Sequence, residues 1–366
     1  MSGPAPLALV HDYLTQRGGA ERVVATLARA FPGAPLYTSL FDPAGTFPEF
    51  AGLDIRTLPL DRIGLLRAHH RLALPLLAPS FSHLTVDADV AICSSSGWAH
   101  GATVTGRKIV YCHTPARWLY QSGRYLDGTS PWTAAALSVL APPLRRWDHK
   151  AAATAHRYLV NSNAVRLRVE EIYGIEAVVV PPPVDVDPDG SLAPVDGVQP
   201  GFVLCVSRLL PYKNVEAVTA AFRELGDHRL VVVGSGPLAD QVRASAPSNV
   251  TVLGSVSDAG LRWLYRSSVG LVAASYEDFG LTPVEAAVFG KPTAALRWGG
   301  FLDTIVDGAT GVFFDQPEPQ LIARAVTSLT DSPWRAETLR SHAEQFSSPR
   351  FIQRINDVVA EERRAP

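Results

Sequence analysis

Short apolar runs alternate with amphipathic stretches of helical period along most of the chain. This alternation is typical of repeated β-α units, in which parallel strands are buried on both faces. The runs predict strands at residues 7–10, 90–93, 109–112, 158–161 and 178–180 in the first half, and at 202–206, 230–233, 250–253, 270–273, 293–296 and 312–314 in the second. The second half is the more regular, with helices predicted at 215–225 and 258–265. The sequence therefore predicts an α/β fold with doubly wound sheets.

The length of the chain indicates two domains. A chain of 366 residues is too long for one ordinary core and suits two domains of roughly 150 to 200 residues each. A proline-rich stretch at 181–188, followed by polar sequence up to residue 199, can continue neither a helix nor a strand and is the candidate linker. We predict an N-terminal domain at 1–183 and a C-terminal domain at 184–347, with a last helical segment at 348–366 that packs back on the first domain.

Composition excludes several classes of protein. The formal net charge of −2 leaves no basic surface large enough for a nucleic acid partner. Cys93, Cys112 and Cys205 each lie in a predicted strand and form no CxxC pair, so we expect buried structural thiols in a reducing compartment. The first apolar run is broken by His11 and Asp12, which argues against a signal peptide, and no apolar segment reaches the roughly 20 residues of a spanning helix. A cytoplasmic protein is expected, with peripheral membrane contact left open.

Two glutamates follow one predicted strand of the second half. Ligands of doubly wound sheets bind at the carboxyl ends of the strands, so the loops there are where functional residues are expected. Glu277 lies in the loop that leaves strand 270–273, and Glu285 lies in the helix that follows. The residues between them that can expose backbone N–H groups to an anionic ligand at the helix entrance are Phe279, Gly280 and Leu281. Residues 282–285 also match a capping box, so a purely structural role for Glu285 is equally consistent with the sequence.

Two cations follow the first predicted strand of the second half. Arg208 and Lys213 lie in the loop that leaves strand 202–206 and enters a helix that Asn214 can cap. Cations at a helix N-terminus oppose the helix dipole and cost up to about 1 kcal/mol each if unpaired. A bound diphosphate would reverse that sign, because it neutralises both charges and accepts from the helix N–H groups. The loop is a candidate anion site; the alternative is an exposed pair that reaches a nearby carboxylate.

Two strand ends of the first half carry further candidates. Gly18 and Gly19, between the first strand and its helix, would let the backbone come close to a ligand, although a tight turn explains them nearly as well. His113 follows strand 109–112 and could donate to a sugar hydroxyl or contact a phosphate, although a lone histidine is more often structural.

Two other patterns are weaker. Residues 234–239 formally match the GxGxxG/A dinucleotide fingerprint, but a Gly-Ser dipeptide stands where an acidic residue is expected about 20 positions later. The carboxylate pairs Asp87/Asp89 and Asp185/Asp187 resemble pairs that hold a divalent cation. The first pair precedes its strand and the second lies in the candidate linker. We therefore expect neither a nicotinamide or flavin site nor a metal site.

Taken together, these motifs resemble the family-four retaining glycosyltransferases of GT-B fold, in which two Rossmann-like doubly wound domains face each other across a cleft. The resemblance runs over nearly the whole chain and is most specific in the second half. The motifs that carry it there are the Glu-x7-Glu of Glu277 and Glu285, the Ser-Arg-Leu-x3-Lys of 207–213, the Val-Gly-Ser-Gly-Pro of 233–237 and the Gly-Lys-Pro of 290–292.

The resemblance implies a role for the charged residues of the second half. Glu277 would contact hydroxyls of the donor sugar, and Glu285 would hold the ribose diol. Arg208 and Lys213 would grip the pyrophosphate. The C-terminal domain would thus bind a nucleotide-diphosphate sugar, and the N-terminal domain would bind the acceptor.

It also implies contacts from outside these motifs. Gly18 and Gly19 would approach the phosphates from the first domain, and His113 would face the donor sugar. The backbone near Val256 would border the base.

The N-terminal motifs at 11–13, 18–22 and 111–115 are similar to those of mannosyltransferases from polysaccharide and O-antigen assembly. This similarity implies GDP-mannose as the first expected donor, and GDP-linked rather than UDP-linked sugars. The implied reaction is metal-independent and cofactor-independent transfer of a hexosyl group to an acceptor hydroxyl with retained configuration, in which Arg208, Lys213 and helix N–H groups stabilise the departing diphosphate. The acceptor, whether a glycan, a lipid-linked or a small molecule, stays open. A nucleotide-sugar isomerase of the same fold and a non-catalytic nucleotide-sugar-binding protein remain alternatives.

One segment bears on the acceptor. Residues 56–83 intermix basic and leucine side chains, a composition suited to anionic membrane surfaces or a lipid-diphosphate acceptor. These side chains are Arg56, Arg62, Arg67, His69, His70 and Arg71, with Leu65, Leu66, Leu72 and Leu74. An ordinary amphipathic packing segment explains the pattern equally well.

Overall fold

The computed structural model describes residues 5–69, 73–121 and 131–365. The chain forms two compact units, one of Met1–Pro183 with Ser348–Pro366 and the other of Val184–Ser347. Each unit contains its own parallel sheet with helices packed against it. In the part of the chain that the structure describes, no helix combines the length and the apolar character needed to cross a bilayer.

The first unit is organised on a seven-stranded parallel sheet with the order β3-β2-β1-β5-β7-β8-β9. A separate pair of short strands, β4 and β6, lies outside it. The strands are β1 Ala8–His11, β2 Leu36–Thr38, β3 Ile55–Thr57, β4 Thr85–Val86, β5 Val90–Ser95, β6 Thr103–Val104, β7 Arg107–Cys112, β8 Arg157–Val160 and β9 Val178–Val179. The helices are α1 Gly19–Ala30, α2 Gly64–Ala68, α3 Leu74–Ser82, α4 Arg117–Tyr120, α5 Pro131–Ala152, α6 Asn163–Tyr173 and, from the C-terminus, α14 Ser348–Arg364.

Burial on both faces explains why the central strands of this sheet are continuous apolar runs. Along β5, Val90 and Ile92 belong to one core while Ala91 and Cys93 belong to the other, as the two-residue period of a strand requires. Helix α14 adds Phe351, Ile355 and Val359 to the same core as Val90. These residues are spaced four apart and therefore lie on one face of the helix.

The second unit is organised on a six-stranded parallel sheet with the order β12-β11-β10-β13-β14-β15. Its strands are β10 Phe202–Val206, β11 Leu230–Val233, β12 Val250–Val252, β13 Ser268–Ala273, β14 Thr293–Leu296 and β15 Gly311–Phe314. Its helices are α7 Val215–Ala221, α8 Ala239–Ser245, α9 Asp258–Ser267, α10 Leu281–Val288, α11 Phe301–Thr304, α12 Pro319–Asp331 and α13 Ala336–Ala343. Here too alternate residues of the strands enter different cores, Val203 and Cys205 one and Phe202 and Leu204 the other.

The structure confirms all eleven predicted strands, with ends that shift by at most two residues. It adds β2 and β3 at one edge of the first sheet, which the sequence did not predict. The predicted helix at 215–225 is shorter than expected and ends at Ala221.

The candidate linker at 181–199 is not a free connection. Val184 pairs its backbone with Ser347, and Val198 is buried in a core of the second unit. Val186 and Val195 pack against that core as well. Proline prevents this segment from forming helix or strand, but its valines still bury apolar surface, and residues 184–199 belong to the second unit.

Candidate functional site

The charged residues of the second unit meet where two adjacent strands end. The loop after β10 contains a short 3-10 turn, Pro211–Lys213, and the loop after β13 contains Ser275 and Glu277. Lys213 Nζ forms an ion pair with Glu277 Oε1, and Ser275 Oγ donates to the same oxygen at 3.0 Å. The Lys213 and Glu277 side chains retain 11% and 23% of their exposure, so both stay accessible to a ligand. The structure thus brings these two predicted residues together.

Further hydrogen bonds connect the loop after β10 to the loop after β13. Tyr276 N donates to Tyr212 O at 3.3 Å, and Asn214 Nδ2 donates to Ala274 O at 2.8 Å. Asn214 stands at the start of α7 but does not cap it through its side chain, which corrects the expected cap. Its backbone is left-handed, with φ of 53°, which asparagine tolerates better than most residues. The asparagine therefore joins the two strand ends instead of capping the helix.

Arg208 is placed differently from Lys213. Its side chain is exposed, and within the described ranges no carboxylate forms an ion pair with it. The expectation of an exposed pair that reaches a carboxylate therefore applies to Lys213, which contacts Glu277, and not to Arg208. Arg208 stays a predicted phosphate contact.

Glu285 lies on α10 but not in a capping box. The helix begins at Leu281, with Gly280 as its N-cap residue and no side-chain cap, so Thr282 is already inside the helix. Glu285 Oε2 instead accepts a hydrogen bond from the hydroxyl of buried Tyr265 at 2.7 Å. Tyr265 lies on α9 and was missed by the sequence interpretation, because nothing local marks a contact between two helices.

The glycines near Glu277 are required by close packing of backbones. A Cβ at Gly299 would lie 2.3 Å from Glu277 O, and one at Gly300 would lie 2.1 Å from the Cα of Phe279. Gly280, with φ of 84°, packs against the ring of Phe301. Gly300 N also donates to Glu277 O at 2.9 Å. The Gly299-Gly300 pair after β14 therefore fixes the position of the loop that carries Glu277. Two consecutive glycines directly after a predicted strand are the sequence feature from which this close contact could have been predicted.

Close packing also explains the dinucleotide-like pattern. A Cβ at Gly234 would lie 1.9 Å from Ser207 O, and one at Gly236 would lie 2.4 Å from Leu209 O. Leu209 N donates to Ser235 O at 2.9 Å. These glycines let the loop after β11 support the backbone around Arg208. The predicted base contact Val256 follows β12 and is half-buried beside an apolar core.

The first unit holds its own polar residues at the ends of β1, β5 and β7. Gly18 is the N-cap residue of α1 and Gly19 its first residue. A Cβ at Gly18 would lie 2.5 Å from Glu21 Oε2. A side chain at this position would have to displace the carboxylate of Glu21, a buried residue in the first turn of the helix.

A chain of polar side chains connects Glu21 to His113. His113 Nε2 and Ser94 Oγ are 2.8 Å apart, and His11 Nδ1 and Ser94 Oγ are 3.1 Å apart. His11 Nε2 lies 4.0 Å from Glu21 Oε1. We call Glu21, His11, Ser94 and His113 the polar chain of the first unit. His11 and Ser94 are register partners on β1 and β5, which explains how residues 83 positions apart meet.

Burial and charge set the protonation of this chain. Burial lowers the pKa of His113 to about 3, and the neighbouring His11 adds to the lowering. Burial also opposes charge on His11 and Glu21, but their mutual attraction outweighs it, so the pKa of His11 is raised and that of Glu21 is lowered. His113 is therefore neutral near pH 7, beside an ionic pair.

Asp12 is buried next to the same strand ends and accepts hydrogen bonds from the backbone that follows β5. Its Oδ2 accepts from Ser96 N and its Oδ1 from Ala99 N, both at 2.6 Å. Burial raises the pKa of Asp12, although His11 and these two N–H groups act against the rise. The sequence interpretation gave Asp12 no role; it shapes the turn after β5.

Two family models match the chain, one in each half. The model described as Glycosyltransferase Family 4 matches residues 17–188, and the model described as Glycosyl transferases group 1 matches residues 196–346. The first match ends at residue 188, shortly after the boundary at 183/184, and the second lies wholly within the second unit.

Several curated proteins are similar over part of the chain. The D-rhamnosyltransferase WbpZ of Pseudomonas aeruginosa is 31% identical over 40% of the chain and 40% of its own length. The alpha-1,3/1,6-mannosyltransferase ALG2 of Dictyostelium discoideum is 30% identical over 31% and 28%, and the D-inositol 3-phosphate glycosyltransferase of Mycobacterium bovis is 32% identical over 51% and 44%. The chain thus spans less than half the length of each of these relatives.

Solved structures share the whole fold. Anabaena HepE, crystallised with UDP and glucose, aligns with a TM-score of 0.70 at 19% identity over 97% of this chain and 99% of that one. The lipopolysaccharide outer core galactosyltransferase WaaB aligns with a TM-score of 0.65 at 15% identity, over 97% and 99%. The chain therefore has the GT-B fold.

Proposed function

We propose that this chain, a member of the GT-B glycosyltransferases by its family matches and its fold, transfers a hexosyl group from a nucleotide-diphosphate sugar to an acceptor hydroxyl with retained configuration. The observation that carries the proposal is the meeting of Lys213, Glu277 and Ser275 at the carboxyl ends of β10 and β13. Ligands of open parallel sheets bind at this edge. A cation beside a carboxylate suits a glycosyl diphosphate, because an ammonium group can donate to phosphate oxygens and a carboxylate can accept from sugar hydroxyls.

Lys213 can serve the diphosphate without leaving Glu277. An ammonium group has three N–H donors, and the contact with Glu277 uses one of them. The others can donate to phosphate oxygens, with Arg208 as a second cation. Charge that develops on the leaving diphosphate is thereby stabilised by groups already in place, which is the largest single contribution in many enzymes.

Glu277 and Glu285 are proposed to hold the sugar and the ribose. Ser275 Oγ and Lys213 fix the Glu277 carboxylate while it keeps acceptor capacity for sugar hydroxyls. Tyr265 orients Glu285 in the same way. The base is proposed to lie near the backbone of Val256, and Phe279, Gly280 and Leu281 are proposed to border the donor.

Gly18, Gly19 and His113 of the first unit are proposed as further donor contacts. Because its pKa is lowered to about 3, His113 is a neutral imidazole at pH 7. A neutral ring can accept or donate a hydrogen bond to a sugar hydroxyl without adding charge. Ser94, which contacts Nε2, leaves Nδ1 for that bond.

The first donor to test is GDP-mannose. Similarity to a mannosyltransferase supports mannose as the sugar, whereas HepE was crystallised with UDP and glucose. UDP-linked sugars are therefore the second arm of the panel. Transfer is proposed to need neither a metal ion nor a cofactor, so it should continue in excess chelator.

The experiment measures nucleoside diphosphate release from GDP- and UDP-sugars, with and without hydroxyl-bearing glycan, lipid-linked and small-molecule acceptors. We expect one donor to be used, release that depends on an acceptor, and a product whose anomeric configuration by NMR matches the donor. Conversion of the donor without acceptor would indicate an isomerase. Saturable donor binding without any product would indicate a binding protein, and either result would overturn the proposal.

A further inference from the structure

Two helices of the first unit enclose an apolar groove away from the polar chain. Helices α3 and α5 are joined by a hydrogen bond of 2.7 Å from Trp147 Nε1 to Ser82 Oγ. Between them lies an open groove of about 470 Å³. Its apolar lining consists of Ala78, Pro79, Leu140, Pro143, Leu144 and Trp147. The volume is within the range of sites that bind small ligands.

Large apolar side chains continue out of this groove onto the surface. Leu76 of α3 is 44% exposed, and Val139 of α5 is 75% exposed. On α5, Val139, Pro143, Arg146 and Lys150 follow each other at spacings of four, three and four. They therefore form one stripe along the helix. We call the groove, Leu76 and this stripe the α3–α5 face.

The charges of the α3–α5 face all have one sign. Arg146 and Lys150 are exposed, and in the described part of the chain neither has an ion-pair partner. Helix α3 has no acidic residue, and the acidic residue of α5, Asp148, is fully buried and accepts from the hydroxyls of Tyr120 and Tyr173. The whole chain has 33 basic and 35 acidic residues, so this acid-free cationic surface is a local feature.

We infer that the α3–α5 face docks on an anionic phospholipid bilayer, with hydrocarbon against the groove and Arg146 and Lys150 against the headgroup phosphates. Exposed apolar side chains flanked by cations are the pattern of interfacial membrane binding. A bilayer fits better than a peptide, because the polar side chains of the groove are already bonded. Ser82 Oγ bonds to Trp147 and to Ala78 O, and His83 Nδ1 bonds to Pro79 O, whereas a peptide backbone needs new partners.

Of the segment at 56–83, only part belongs to this face. Leu66 is buried in the core and Leu74 packs against it, so these leucines have the ordinary packing role. His70, Arg71 and Leu72 lie outside the described residues. Leu65 of the same segment is 62% exposed, and Arg62, Arg67 and His69 are exposed as well, so the membrane expectation for that segment stays an expectation. The α3–α5 face concerns Leu76 on α3 and the stripe on α5.

Vesicle flotation of the full chain tests this inference, and it needs neither donor nor acceptor, so its outcome is independent of the proposed function. We expect binding to vesicles of phosphatidylcholine with phosphatidylglycerol and little binding to phosphatidylcholine alone. Each cation near the surface contributes about fivefold, so the double variant Arg146→Gln, Lys150→Gln should bind about 30-fold more weakly. The double variant Leu76→Ser, Val139→Ser should lose at least about tenfold.

A matched control is the double variant Arg324→Gln, Arg354→Gln, which removes the same charge from exposed positions on α12 and α14. It should bind like the wild type. All four positions substituted on the face are exposed, so thermal melting should be unchanged in every variant. Absence of binding to the anionic vesicles, or equal loss in face and control variants, would overturn the inference. If the chain bound a protein through this face, and anionic vesicles did not displace that protein, the face would be a protein-binding surface and the inference would be wrong.

Discussion

The two units use polar residues in opposite ways. In the second unit, Lys213 and Glu277 lie at strand ends with their side chains still 11% and 23% exposed. In the first unit, His11 and Glu21 are only 2% exposed and form part of a buried polar chain. A pair that water can reach can exchange that water for a ligand. A buried chain mainly fixes the position and the protonation state of its own members, including His113.

This difference separates two kinds of expected defect. Substitution in the partly exposed pair should reduce activity far more than stability, because water can reach the charge that is left without its partner. Substitution in a buried network should reduce stability first, since it leaves buried partners unpaired. Four variants test this separation.

The largest effect is expected for Lys213→Ala. Loss of a cation that stabilises the leaving diphosphate should lower kcat/KM by about 10³-fold. The melting temperature should hardly change, because both partners are partly exposed. Steady-state kinetics with the donor found in the panel measure the effect, and Arg324→Ala on α12 of the same unit serves as the control. Full activity in Lys213→Ala would contradict a functional role for the accessible pair of the second unit.

The next effect is a loss of stability in Asp12→Ala. The substitution leaves the buried N–H of Ala99 and the part-buried N–H of Ser96 without their carboxylate acceptor. Two unsatisfied donors should cost about 3 kcal/mol of unfolding free energy. Urea unfolding measures this cost, with Asp240→Ala as the control because that side chain is fully exposed on α8. An unchanged urea midpoint would show that the buried contacts do not stabilise the first unit.

His113→Gln should change how stability depends on pH. The pKa of His113 falls to about 3 in the folded chain, below the ordinary histidine value of 6.5. Between these values the unfolded chain binds a proton that the folded chain does not, so the unfolding free energy should fall as pH is lowered, by about 1.4 kcal/mol per pH unit.

In the window from about pH 6 to 5, the difference in slope between the wild type and His113→Gln reports this histidine. His156, whose pKa is also lowered, and Asp12, whose pKa is raised, contribute to the slope in both proteins. His11 has a raised pKa, so its stabilising contribution is lost only when pH rises above the ordinary histidine range. Glu21 has a lowered pKa, so its contribution is lost only below the ordinary glutamate range. Urea unfolding at several pH values should show a flatter slope in His113→Gln than in the wild type or in His228→Gln. Equal slopes in all three would contradict the buried neutral state.

The smallest effect is expected for Tyr265→Phe. The variant keeps the ring stacked on Phe289 and removes only the hydroxyl that donates to Glu285. One net hydrogen bond is worth about 1 kcal/mol, so the Kd of the nucleoside diphosphate should rise about fivefold. Calorimetric titration measures this, with Tyr37→Phe in the first unit as the control. An unchanged Kd would contradict the proposed contact between Glu285 and the nucleotide.

The sequence predicted the strands of the second unit best, and there is a physical reason. Strands β10, β11 and β14 are apolar runs buried on both faces, and each matches its prediction residue for residue. Strands β2 and β3 were not predicted because each has only three residues. In β3, moreover, Arg56 and Thr57 are exposed polar residues. An edge strand is specified by the neighbour it pairs with more than by its own sequence.

The site shows the same limit. Lys213 and Glu277 could be expected to meet, because loops after adjacent parallel strands share one edge of the sheet. The contact of Tyr265 with Glu285, and that of Ser94 with His113, depend on how separate elements pack. The capping-box interpretation of Glu285 was wrong for a related reason. Gly280 can adopt a left-handed backbone, so the helix starts one residue before Thr282.

The central claim is that the strand-end loops of the second unit hold the donor. Hydrogen exchange of the full chain, with and without a saturating concentration of the donor found in the panel, tests it most directly. We predict slower exchange in the peptides that cover residues 207–214 and 275–285, and the same slowing with the nucleoside diphosphate alone in the first of them. Unchanged exchange in both peptides, while the donor is demonstrably bound, would contradict the claim.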